Sequence, residues 1–456
     1  MKGLSGGLFF NHNIAQLHSL INKKKITFQN IVEACIERTR QIDPIYNIWA
    51  SFDQDDIKSQ IPKDITFRNE NKKMIGVPVG VKDIFNTNSL PTQMGSSIWK
   101  NFTAGNDARV VHDLKEAGAI ICGKTVTAEF AVHKLNETLN PHDEKLTPGT
   151  SSSGSAVSVA TGVCPVALGS QTAGSIVRPA SFTGVYGFKP TYGLIPRTGM
   201  LKTTDTLDSV GFFTIHYKDL RTVFESIRVR GKNYPMSNGP LSDIKRQNKN
   251  SSKPWKVAFI KTYAWDYAEG YAKNSIEEYI NKISNIDNIE IKEIELPTEF
   301  ESIHKLHSVI YKKALSYYFS KEYKTFDKMS DSMISLIEQG LKISPEDYIG
   351  AINKQSSLIS TMDKIMKNYD TLITLSTAGA APPRDQEEKI DSSLIWNTLQ
   401  LPTVAVPGFD YKGLPYGFQV CSRKYNDYLL LNFLDYINDK ELIPEKMNPI
   451  LEKVFR

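Results

Sequence analysis

Residues 148–190 read PGTSSSGSAVSVATGVCPVALGSQTAGSIVRPASFTGVYGFKP. Two clusters rich in glycine and serine, 150–154 and 169–175, flank a run of small residues that predicts a closely packed helix. Small residues let backbone approach a bound group and let successive N–H groups point into one concavity. Serines in both clusters favour hydroxyl chemistry over phosphate binding. Upstream, GVPVGVKDIF (76–85) places Lys82 after the alternating Val77, Val79 and Val81, the pattern of a buried strand. A lysine and two serine clusters, with no usable histidine nearby, suggest a Ser–Ser–Lys nucleophile system.

On either side, helical and strand-like segments alternate. Thr27 followed by Phe28, Ile31, Val32, Cys35 and Ile36 has the spacing of one helical face, with Pro44 expected to stop it. Residues 75–84 read as a strand, 108–117 as a helix, 119–122 as a strand, and 156–162, 164–168 and 185–189 continue the alternation. This pattern predicts an α/β sheet covered by helices. Residues 231–254 are polar and turn-rich and read as a long surface connection. Beyond them come a strand at 257–260, helical stretches at 264–284, 300–320 and 328–368, and a strand at 369–376. There is no internal repeat.

Composition sets the outer bounds. The chain has 456 residues, 40% of them hydrophobic and 23% charged, which suits a core-forming protein. A net charge of +5, from 55 basic and 50 acidic residues, is too mild to argue for nucleic acid. No run approaches the ~20 apolar residues of a membrane span, and the N-terminal apolar run is too short for a signal peptide. Cys35, Cys122, Cys164 and Cys421 are far apart in sequence and form no C-x-x-C pair. They read as packed free thiols of a cytoplasmic protein.

Three separated motifs resemble the amidase signature family: GVPVGVKDIFNT (76–87), DARVVHDLKEAGAIICGKT (107–125) with the Gly/Ser block, and LQLPTVAVPGFDYKGLPYGFQV (399–420). The resemblance covers nearly the whole chain. It implies one domain over 1–456 with a large mixed β-sheet core covered by helices on both faces. Within it we expect an N-terminal helical segment (1–60), a catalytic core (70–215), a variable, mostly helical cap (231–368) and a C-terminal part of the core (369–456). It also implies amide hydrolysis without metal or organic cofactor. Lys82 matches the family lysine, Ser151 the serine of the cis peptide, and Ser175 the nucleophile, twenty-four positions beyond Ser151. Backbone N–H groups of Thr172, Ala173, Gly174 and Ser175 are then the expected oxyanion hole. Gly149, Thr150, Gln171, Trp396 and Asn397 are weaker candidates for contact with substrate.

Departures from the family pattern are equally specific. Gln171-Thr172-Ala173-Gly174-Ser175 stands where many members have D-T-G-G-S, and Arg178 is displaced by one position, suggesting a different salt-bridge partner. Glutaminase-type members that make glutaminyl-tRNA hold the substrate carboxylate with an arginine. Gln355 falls at that position here, which weakens a glutamine-hydrolysing reading. The favoured substrate is a small neutral carboxamide or carbamoyl compound. The amidase subunit of a tRNA-dependent amidotransferase, and an acyl-transferring or binding protein on the same fold, stand as alternatives. A homodimer through residues 10–60 is compatible with the sequence but not required by it.

Two other features carry duller readings. Residues 118–125 spell G-x-x-x-x-G-K-T, but the intervening residues form an apolar strand after a helix, the wrong context for a phosphate loop. His304 and His307 lie three apart on a predicted helix and read as surface residues rather than metal ligands. Tyr311, Tyr317, Tyr318 and Phe319 form an aromatic group read mainly as core, with lining of a cleft as the alternative.

Overall fold

The computed structural model describes residues 7–62, 72–132, 135–231, 234–249, 253–386 and 388–443. The two ends of the expected single domain, 1–6 and 444–456, lie outside the described residues.

Among the described residues, eleven strands form one mixed sheet: β1 (Trp49–Phe52), β2 (Pro78–Lys82), β3 (Ile120–Thr125), β4 (Val166–Gln171), β5 (Tyr186–Lys189), β6 (Ser209–Thr214), β7 (Trp255–Ile260), β8 (Ile289–Ile294), β9 (Thr371–Leu375), β10 (Thr403–Tyr411) and β11 (Leu414–Ser422). Their spatial order is β1-β3-β2-β4-β6-β5-β10-β11-β9-β7-β8. β2 pairs in parallel with both β3 and β4, which sets the end of β2 beside the serine-rich end of β4. Burial on both faces explains the near-continuous apolar character of these strands.

Alternation along β2 decides where Lys82 goes. Val79 and Val81 join the core on one face, with Leu114, Leu220 and Phe224. Gly80 faces the helix Ser153–Ala160, where a Cβ would lie 3.5 Å from Ser158 Oγ. Lys82, two residues on, continues along that face. The helix is made of Ser, Gly, Ala and Val, every one of them buried, so it packs close against the sheet. The N-terminal helix Phe28–Tyr46 covers the same side through Ile31, Val32, Cys35 and Ile36. It runs through Pro44 rather than stopping there; in the last turn a proline removes one backbone hydrogen bond and the preceding turns remain intact.

The polar stretch after residue 230 is not simply a surface connection. It contains the helices Pro235–Ser242 and Ile244–Gln247. Arg246 Nε donates to Asn426 Oδ1 at 2.6 Å and Gln247 Nε2 to the Tyr425 carbonyl at 2.6 Å, so its polar side chains dock it on the C-terminal part. Further on, β7 and β8 extend the sheet edge, while helices Ile303–Tyr318, Asp331–Leu341 and Pro345–Met366 enclose a core of Ile310, Leu315, Met333, Ile337, Leu358 and Met362. Among the described residues, no helix is long and apolar enough to cross a membrane.

A buried carboxyl ties the N-terminal helix Ile14–Asn22 to the sheet-covering helix Tyr217–Ile227. The Ile14 N–H donates to Asp219 Oδ1 at 3.0 Å, and burial pushes the Asp219 carboxyl up to about 7. The folded form therefore holds a proton that the unfolded chain releases near 3.8, so the stability linked to Asp219 falls as pH rises through that window. D219N keeps an acceptor for Ile14 and removes the charge. Its thermal midpoint should depend less on pH between these values and exceed the wild type's above pH 7. Equal slopes for the two proteins would refute the assignment.

Candidate active site

Lys82 is fully buried, and three hydroxyls lie within hydrogen-bonding distance of its Nζ: Ser151 Oγ at 2.7 Å, Ser170 Oγ at 2.8 Å and Ser152 Oγ at 3.0 Å. Among the described residues no carboxylate forms an ion pair with it. Its neighbour Asp83 is taken by Lys124, Nζ to Oδ1 2.9 Å, with both side chains buried. Burial drives the Lys82 amine well below the ordinary lysine value, and the more distant charge of Asp208 opposes that only partly. Ser151 and Lys82 thus come together as the sequence suggests. Ser152 and Ser170 are not singled out by the sequence: they are ordinary letters in Gly/Ser runs, and only the pairing of β2 with β4 puts them around the amine.

The two Gly/Ser clusters are clamped to each other. The Thr150–Ser151 peptide is cis, and the Thr150 carbonyl accepts from Arg178 Nη2 at 2.8 Å. Arg178 also pairs with Glu388 (2.8 Å) and Asp391 (2.7 Å). Gly149 has φ +84°, and a Cβ there would lie 2.8 Å from Pro179 Cα. Its requirement is backbone conformation and close approach. On the other side of the cis bond, the Ser151 carbonyl accepts from Thr127 Oγ1 at 3.1 Å and from Ala128 N at 3.3 Å.

The loop 172–175 is held by its carbonyls. Thr172 O accepts from Asn397 Nδ2 at 2.6 Å and His307 Nε2 at 3.0 Å, Ala173 O from Ser393 Oγ at 3.5 Å, and Gly174 O from Arg178 N at 2.9 Å. Gln171 Oε1 accepts the next two N–H groups, Ile176 (2.9 Å) and Val177 (3.0 Å). Among the described residues, the N–H groups of Thr172, Ala173, Gly174 and Ser175 meet no protein acceptor. Carbonyls tied to the protein and N–H groups left free are what an anion cradle needs. Gly174 has no room for a side chain, since a Cβ would stand 1.8 Å from Asp391 Oδ2. Ser175 keeps 5% exposure against 1% for Ser151 and none for Lys82, so it is the most outward of the three.

Several expectations change. Trp396 is fully buried in the core beside Ile395 and Leu399. Asn397 holds loop backbone, donating also to the Leu207 carbonyl at 3.1 Å, because the short helix Leu394–Thr398 packs beneath the loop. Gln171 and Thr150 likewise brace backbone. His307 is buried rather than on the surface, on the inner face of its helix, and burial brings its imidazole down to about 4. His304 is partly buried and meets the Tyr263 ring. The aromatic group splits: Tyr311 and Phe319 are buried, whereas Tyr317 is 74% exposed. Residues 118–125 run into β3, with Lys124 in its ion pair, so the phosphate-loop spelling has no phosphate-loop geometry.

Comparison with known proteins identifies the family and matches the fold. The Amidase family model matches residues 30–431. The chain belongs to the amidase family. Its relatives include a glutamyl-tRNA(Gln) amidotransferase subunit from Staphylococcus aureus, 28% identical, with 91% of this chain and 94% of that one covered. The fold matches the peptide amidase of Stenotrophomonas maltophilia (TM-score 0.81, 22% identity, 96% and 98% covered) and a 6-aminohexanoate cyclic dimer hydrolase (TM-score 0.82, 18% identity, 98% of each chain covered). This protein is accordingly an enzyme of amide hydrolysis.

Two cavities of the amidase are lined by residues that touch the site's neighbours. One of about 730 Å³ is lined by Asp83, Gln93, Thr127, Glu129 and Asn136. The other, about 410 Å³, is lined by Arg178, Phe182, Tyr271, Ala380 and Asp391. Neither is lined by Lys82, Ser151 or Ser175, so size alone does not locate the chemistry.

The loop-holding role has a direct test. Losing one donor to the Thr172 carbonyl should cost about 1–3 kcal/mol of loop order. H307A and N397A should each slow reaction with a fluorophosphonate serine probe by roughly tenfold, or ~1.4 kcal/mol. H307Q, which restores an N–H donor, should recover part of the rate. Unchanged labelling in both alanine variants would show that the loop holds without them.

Proposed function

We propose that this amidase hydrolyses a small neutral carboxamide or carbamoyl compound through an acyl-Ser175 intermediate, releasing ammonia or an amine. The observation that carries the reading is the buried Lys82 amine held by three hydroxyls and no carboxylate. A lysine acts as a base only when neutral, and burial without an ionic partner favours that form.

The proton inventory supports an order of events. A neutral amine has two N–H groups and one lone pair, so one of the three hydroxyls must donate back to it. Ser152 Oγ donates to the Ser170 carbonyl at 3.2 Å and is engaged. Ser151 is assigned the return donation: it passes its proton to Lys82 and accepts that of Ser175 as Ser175 attacks the amide carbon. The N–H groups of 172–175 then receive the developing oxyanion, where one such donor is typically worth about 2.7–4 kcal/mol. Ser151 next delivers a proton to the leaving amine, and water cleaves the ester with the same groups in reverse. The slight exposure of Ser175 favours a small substrate.

Similarity to an amidotransferase chain favours a second reading, glutamine hydrolysis within a multisubunit enzyme. Gln355 argues against it: the side chain is buried and its Nε2 donates to the Thr398 carbonyl at 2.9 Å. It offers no cation for an amino-acid carboxylate.

Intact-mass analysis after fluorophosphonate treatment should give one adduct, mapped to Ser175, lost in S175A and much slowed in K82A and S151A. An adduct surviving S175A would overturn the assignment. Ammonia release from a panel of carboxamides should exceed that from glutamine; glutamine as the best substrate would favour the second reading. Adding an amine acceptor separates hydrolysis from acyl transfer. The rate should rise with pH through the lowered Lys82 value and be level well below 10.5, since the neutral amine is the active form.

A further inference from the structure

Three cysteines that are distant in sequence meet inside the protein. Cys35 comes from the helix Phe28–Tyr46, Cys122 from β3, and Cys164 from the turn between the helix Ser153–Ala160 and β4. All three are free thiols with no exposed surface. Their sulfurs lie within 4.8 Å of one another, with Cys35 Sγ to Cys122 Sγ at 3.6 Å. Thiolate bonds of about 2.3 Å hold three sulfurs around one centre roughly 3.5–4 Å apart. The cluster therefore needs only small side-chain shifts to close on a single ion.

Coordination number and charge select the ligand. Among the described residues no histidine or carboxylate joins the group, so the site offers three sulfurs. Structural zinc takes four ligands and would leave its fourth position empty in the core. Three thiolates around a divalent ion would also bury one negative charge, and around a monovalent ion two, at a cost of several kcal/mol per charge. A trivalent thiophilic centre gives a neutral complex and is satisfied by three sulfurs. We infer that Cys35, Cys122 and Cys164 form a binding site for a trivalent metalloid of the arsenite or antimonite class.

Binding is a condensation with no change of oxidation state. Arsenous acid enters as a small neutral molecule. Each of its three As–O bonds is replaced by an As–S bond, and each thiol proton leaves with a hydroxide as water. The product links the N-terminal helix to β3 and to the approach to β4. Metalloid binding to the thiols is read without any activity measurement.

The reduced full-length protein is titrated with arsenite and followed by native mass spectrometry and arsenic X-ray absorption. One arsenic should add with loss of three hydrogens, and the absorption spectrum should show three sulfur neighbours and no oxygen. C164S should lose one As–S bond and gain an As–O bond. C421S should bind as the wild type does, since Cys421 lies apart, against Thr403. The wild-type neighbour count needs no variant, so a failure of C164S to fold leaves the result decisive. Absence of an adduct, a two-sulfur adduct in the wild type, or displacement of arsenite by equimolar zinc or copper(I) would each overturn the inference.

Discussion

The site depends on an amine buried, among the described residues, without an ion-pair partner. In most proteins a fully buried lysine is paired, because an isolated charge in the interior costs several kcal/mol. Here the adjacent carboxylate, Asp83, is held by a second buried lysine, Lys124, which also donates to Thr92 Oγ1 at 2.7 Å. That pair keeps Asp83 occupied, and the Lys124 charge opposes the upward push that burial gives its carboxyl. Lys82 is left to face hydroxyls, which solvate an amine without fixing a proton on it. Two lysines on neighbouring parallel strands thus have opposite fates, set by which one reaches the carboxylate.

Around this amine the fold arranges backbone more than side chains. The clusters that supply serines also need backbone pressed together at Gly149 and Gly174, where a Cβ would collide with Pro179 and Asp391. Arg178 joins the two clusters, and its charge is answered by Glu388 and Asp391. Breaking one member of such a buried network strands the others, at a cost of about 3–5 kcal/mol. The shifted arginine and the altered Gln171/Ala173 positions fit one scheme. Gln171 receives the N–H groups of Ile176 and Val177, and Arg178 turns toward Thr150.

The sequence carried the parts of this arrangement that depend on local pattern. Valine alternation before Lys82, helical spacing after Thr27 and the Gly/Ser clusters each reflect a short-range requirement, and the strands and helices formed there. Pairing between strands is a long-range property. Ser170 and Ser152 became partners of Lys82 only through the β2–β4 register, and Asp391 met Gly174 from more than two hundred residues away. Polar composition misled twice for one reason. Both His307 and the 235–247 helices place polar groups against backbone atoms of the body, where they are satisfied without water.

Polar contacts of this kind also decide how the amidase joins its parts. His307 belongs to the mostly helical region that carries little of the family's motif, yet it donates to Thr172 at the head of the proposed oxyanion hole. Its neutral form suits that task, because an imidazole kept near 4 presents a fixed N–H to a carbonyl across the physiological range without adding charge beside the loop. A change of packing in the helix Ile303–Tyr318 therefore moves one of the two donors to the Thr172 carbonyl. The other, Asn397, comes from the C-terminal part of the sheet domain. Loop geometry is then a joint property of two regions separated in sequence, and the helix Ile303–Tyr318 cannot be altered independently of the loop that His307 holds.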